Sequence, residues 1–107
     1  MSPRVVVLPE AEEDASAAAR WYEDQRGGLG LEFLGAFQGA LDRVAHAPQA
    51  YLAWPREPRY RRARLHRFPY LLFFEFDNEV VEVVALVHER RRPGFWLARR
   101  SGRAKPG

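Results

Sequence analysis

Two residue types stand where they could do chemistry. Arg64, Arg67, Arg90, Arg91 and Arg92 bracket an aromatic and β-branched stretch, and His66 and His88 lie near its ends. A guanidinium presents a planar fork of donors that grips phosphate or carboxylate in bidentate fashion. An imidazole titrates near neutral pH, so two of them on one side of a sheet could serve as base and acid. The plainer roles are a strand-end histidine bonded to a carbonyl, and arginines paired with Glu75, Glu82 and Glu89. The three consecutive side chains Arg90 to Arg92 cannot all point one way. His46 ends a helical run, where a cation suits the dipole. Three histidines without metal-ligand spacing, in a chain with no cysteine, predict neither a metal centre nor a cofactor.

These side chains need elements to hold them. Residues 70–76 alternate, with Tyr70, Leu72, Phe74 and Phe76 on one face and Leu71, Phe73 and Glu75 on the other. Asp77-Asn78-Glu79 reads as a hairpin turn into a partner strand over 80–88. Strict alternation there puts Val81, Val83, Ala85 and Val87 on one side and Glu82, Val84, Leu86 and His88 on the other. A further strand is expected over 62–68, with Ala63 and Leu65 inward and Arg64 and His66 outward.

The N-terminal half reads as a short strand over 4–8 and two helices. Pro9 suits a helix first turn, and Glu10, Glu12, Glu13 and Asp14 favour its positive end. Ala11, Ala15, Ala18 and Tyr22 form a narrow apolar stripe that lets another helix come close, with Trp21 beside it. Gly27-Gly28 stops that helix, and a second runs over about 29–46 with Phe33, Phe37, Ala40, Leu41 and Val44 on its apolar face. Pro48 ends it. The following 48–62 segment is a long, proline-stiffened connection carrying Tyr51, Trp54 and Tyr60. The expected fold class is α+β, in the order β-α-α-β-β-β(-β). An N-terminal helical hairpin packs on a twisted, mainly antiparallel sheet. Residues 1–99 form one domain, and 100–107 a frayed polar tail.

The net charge of +3 hides a segregation. Residues 1–54 carry four arginines against eight acidic side chains, whereas 55–107 carry thirteen cations, all but Lys105 arginine, against six. A basic face for nucleic acid or an acidic protein is the sharper implication, and a solvated surface the blander one. The chain opens on an apolar run too short for a signal or a membrane span, which predicts a soluble cytoplasmic protein without membrane partners.

Several pieces then resemble one family. They are Leu8-Pro9-Glu10-Ala11-Glu12-Glu13-Asp14, Trp21-Tyr22-Glu23, Gly30-Leu31-Glu32-Phe33-Leu34, Arg67-Phe68-Pro69-Tyr70 and His88-Glu89-Arg90-Arg91-Arg92-Pro93-Gly94-Phe95-Trp96. In this order they resemble the RelE/ParE superfamily of type II toxin–antitoxin toxins, over nearly the whole chain. The resemblance implies a bacterial growth inhibitor bound by a cognate antitoxin in a hetero-oligomer. RelE-like members cleave mRNA on the ribosome without a metal; ParE-like members, the plasmid-stabilisation branch, inhibit DNA gyrase.

Where RelE-like nucleases carry an arginine after the tyrosine matching Tyr70, this chain has Leu71, and Trp96 stands near where a phenol is usual. An indole cannot exchange a hydroxyl proton. The ParE-like reading is therefore preferred. Two alternatives stay open: a ribosome-dependent endoribonuclease using Arg90, His88 and Arg67, and a non-toxic basic nucleic-acid-binding domain. Arg64, Arg67, Arg90, Arg91, Arg92 and Trp96 are expected to form a target-binding basic edge. Leu71, Phe73, Val84 and Leu86, with Trp21, are expected to form a bare apolar face for the antitoxin.

Overall fold

The computed structural model describes residues 3–104. Strand β1 (Arg4–Val7) leads into helix α1 (Pro9–Gln25), helix α2 (Leu29–His46) and a 3-10 turn at Pro48–Ala50. Strands β2 (Arg61–Arg64), β3 (Tyr70–Phe76) and β4 (Val80–His88) follow, and helix α3 (Leu97–Ala104) closes the order. The sheet runs β1-β4-β3-β2, antiparallel except for the parallel β1–β4 pair. The α+β order, the helical hairpin and the mainly antiparallel sheet are as expected, with a helix where an optional last strand was allowed.

Punctuation explains the hairpin. Pro9 sits in the first turn of α1, and Gly28 takes a left-handed φ of 91° between the helices. The Glu23 carboxylate accepts the N–H groups of Gly28 and Gly30, so the end of α1 satisfies donors at the start of α2. A Cβ on Gly30 would lie 2.7 Å from the Ala19 carbonyl oxygen, so only glycine lets the helices cross there. The alanine stripe Ala11, Ala15, Ala18 and Ala19 is buried, as is Phe33, whose ring meets Tyr22, Phe68 and Tyr70 at 5.0–5.3 Å.

The sheet has a core on each side. The helices cover Leu72, Phe74, Val81, Val83 and Leu86. On the far side Trp54, Tyr60 and Trp96 close over Phe73, Val84, Ala85 and Val87. Trp54 and Trp96 stack at 5.8 Å, and each meets the Phe73 ring at 4.9 Å. This corrects one expectation: the far face is sealed by the chain's own loop and C-terminal segment, with Phe73 and Val84 buried and Leu71 half-buried. The 48–62 connection is pinned to the far-side core by Trp54 and tied by the Ala53–Arg61 bridge.

A second correction concerns β4. Phe73 faces Ala85 and Phe74 faces Val83, so Val84 is a surplus residue on β4. Beyond this bulge the faces exchange. Val81 and Val83 lie under the helices, Ala85 and Val87 on the far side, and Leu86 returns to the helix side. Strict alternation had put Leu86 on the bare face and had grouped all four of Val81, Val83, Ala85 and Val87.

The third correction is the tail, which was expected to fray from residue 100. Helix α3 takes in Arg99 and Arg100, and both are held. Arg99 donates twice to Asp14, at 3.1 and 3.0 Å. Arg100 donates to Glu75 at 3.2 Å and Glu82 at 3.1 Å, and its Nε reaches the Tyr60 hydroxyl at 3.3 Å. Glu75 and Glu82 are cross-strand partners, a like-charge pair that would repel without a cation between them. Residues 105–107 of the expected tail lie outside the described residues.

Candidate functional site

One end of the sheet collects the cations. There β2 ends, β3 begins and β4 runs out, because β3 lies between β2 and β4. Arg64 closes β2, Arg67 lies in the turn to β3, and Arg90, Arg91 and Arg92 follow β4; all five are exposed. Trp96, assigned with them from sequence, is 1% exposed and belongs to the far-side core.

Two of the five are already engaged. Arg64 donates to both oxygens of Glu89 at 3.0 and 3.4 Å, which holds that carboxyl below its usual range. Arg67 donates to Glu32 at 2.8 Å, and this bond is the main cause of the lowered Glu32 pKa. Arg67 also takes a left-handed φ of 72°, a conformation costly for a residue with a Cβ. Its guanidinium lies 5.5 Å from the Phe68 ring centroid. Arg91 covers the Phe95 ring at 4.0 Å. Arg90 and Arg92 have no carboxylate partner among the described residues.

The two candidate histidines sit on different segments, His66 in the turn beyond β2 and His88 at the end of β4. His88 meets Tyr70 edge-on at 5.3 Å, and its Nδ1 accepts the Arg90 backbone N–H at 3.1 Å. That bond fixes the unprotonated nitrogen and leaves Nε2 to carry the proton of the neutral ring. Burial raises the Tyr70 phenol above its usual pKa, so it stays protonated at neutral pH. His66 lies in the turn beyond β2 and is exposed. Among the described residues no cluster of histidine, aspartate and glutamate could hold a metal.

Two concavities flank the end of β4. On the helix side a hollow of about 370 Å³ is lined by Ala17, Trp21, Tyr70, Arg91 and Phe95. Trp21, which the sequence placed beside the alanine stripe, is 57% exposed at its mouth. On the far side a tighter groove of about 130 Å³ has Leu71, Phe73 and Val87 in its wall, with Arg62, Arg91 and Arg92 around it. Of the face predicted for a partner, Leu71 and Phe73 line this groove, whereas Val84 is buried beneath the tryptophans and Leu86 faces the helices. The sequence reading missed Arg62, although Arg62 and Arg64 share a strand face by period two. It missed Arg99 and Arg100 because their carboxylates lie far away in the sequence.

A helical hairpin thus lies over one face of a four-stranded sheet, with an arginine-rich rim at one end of that sheet. Residues 5–93 match the family described as the ParE toxin of the type II toxin–antitoxin system parDE, and the chain belongs to that family. The fold is similar to one solved in the chromosomal ParDE toxin–antitoxin system from P. aeruginosa, with a TM-score of 0.72. That likeness covers 81% of this chain and 96% of the other at 15% identity, so it speaks to the fold alone. No curated protein sequence matches the chain.

Proposed function

We propose that this ParE-family toxin arrests growth by binding DNA gyrase and that a cognate antitoxin silences it in a hetero-oligomer. The supporting observation is chemical. Leu71 stands where a RelE-like nuclease carries a second cation, and Trp96, near where such enzymes carry a phenol, is an indole buried in the far-side core. Ribose cleavage requires a base, an acid and cations on the phosphorane, and losing even one oxyanion donor costs on the order of 10²-fold in rate. A binding mechanism asks for none of these. Among the described residues no helix is long and apolar enough to cross a membrane. On this reading the protein acts in the cytoplasm, where gyrase works.

The test is induction without antitoxin, with DNA supercoiling and RNA cleavage mapped in the same culture. Relaxed DNA with intact mRNA is the expected result. Discrete mRNA cuts with normal supercoiling would instead establish the ribosomal nuclease, and neither effect with normal growth would leave a nucleic-acid-binding domain. Co-expression of the protein encoded by the neighbouring gene should restore growth and co-purify with the chain.

A further inference from the structure

The far-side groove beside the end of β4 is lined by groups that ask for one kind of occupant. Its wall is apolar, from Leu71, Phe73 and Val87. Its rim carries Arg62 and Arg92, exposed and without carboxylate partners among the described residues. The Trp96 indole also lines it, and the Trp96 Nε1–H is buried with no acceptor.

We infer that this groove binds an acidic peptide segment: one apolar side chain lies over Leu71 and Val87, and carboxylates beside it pair with Arg62 and Arg92. The inference deepens the toxin reading and rests on it, since the segment is assigned to the antitoxin. Peptide is favoured over nucleic acid by two features. Bases need exposed ring faces to stack on, and Trp54 and Trp96 are packed against Phe73 and each other. Glu89, fixed by Arg64, also lines the groove and would repel a phosphate backbone. A peptide needs only one apolar anchor and one or two carboxylates, placed to avoid Glu89.

The probe is a labelled twelve-residue peptide of alternating Glu and Leu, compared with its Gln/Leu counterpart and with oligothymidylate of equal length. Binding to the purified full chain is read by fluorescence anisotropy. The Glu/Leu peptide should bind at least about tenfold tighter than the Gln/Leu peptide, the scale of losing one or two charge-assisted pairs. Arg62→Glu with Arg92→Glu should remove that advantage, with a melting temperature near that of the parent. Unchanged affinity in this double variant would overturn the inference, as would oligothymidylate binding tighter than the Glu/Leu peptide and being lost in the same variant. The readout does not depend on toxicity. A harmless chain that binds the peptide refutes only the toxin reading, and a toxic chain that ignores it refutes only the groove.

Discussion

Arg99 grips Asp14 through both terminal guanidinium nitrogens, at 3.1 and 3.0 Å, across 85 residues of chain. The same carboxylate accepts the Leu86 N–H at 3.1 Å, and Arg99 reaches the Val84 carbonyl at 3.5 Å. Strand β1 stops at Val7, opposite Val83, so beyond that point β4 is flanked by β3 on one side and by no strand on the other. The ion pair stands in for the missing strand by bonding one donor and one acceptor of the exposed edge.

Asp14→Ala should therefore cost about 2 kcal/mol, the scale of charge-assisted hydrogen bonds in a partly buried site. Equilibrium urea unfolding measures it. Glu13→Ala, which breaks only the exposed pair with Arg20, should stay within about 0.5 kcal/mol of the parent.

Gly30 and Gly35 both lie in α2 and should respond in opposite directions. Gly30→Ala drives a methyl to 2.7 Å from the Ala19 carbonyl and should destabilise by about 1–3 kcal/mol or more. Gly35 has nothing within 4 Å of its built Cβ, so Gly35→Ala should stabilise by up to about 1 kcal/mol through helix propensity. Thermal melts of the two variants side by side check both.

Trp96→Ala removes the ring that joins Trp54, Tyr60 and Phe73, and should cost about 3–5 kcal/mol. Trp21→Ala, at an exposed ring, should leave the melting temperature nearly unchanged. If Trp21 contributes to a partner surface, this variant loses binding without losing the fold.

Asp77 accepts the backbone N–H groups of Glu79 and Val80 at 3.1 and 3.0 Å, and these bonds hold its carboxyl below the usual value. The folded pKa is depressed, so the turn's contribution is complete above the unfolded value of about 3.9. It is lost as pH falls through the folded value. The stability difference between the parent and Asp77→Ala should thus be steady near pH 7 and shrink below about pH 4. A difference that does not change with pH would remove the carboxylate from the account.

The helical hairpin and the β3–β4 hairpin were legible because punctuation marks them: Pro9, Gly27-Gly28, Pro48 and Asp77-Asn78-Glu79 each end or start an element for a local reason. The bulge was not legible. Val83, Val84 and Ala85 are all apolar, and both sheet faces are apolar there, so no residue type betrays the slip. Arg99 and Arg100 looked like tail because the carboxylates that order them, Asp14, Glu75 and Glu82, are distant in sequence. The arginine rim was legible as a cluster, but not its division into engaged and unengaged members, which depends on where Glu32 and Glu89 fall.

The surplus valine in β4 makes one ribbon into two independently aimed halves. The half before it is committed to the helices, whereas the orientation of everything after it hangs on a single inserted unit. Sliding or deleting that unit would turn His88 and the arginines behind it toward the opposite surface while leaving the first half's pairing intact. The end that carries His88 and the arginines thus takes its facing from one residue in the middle of the strand.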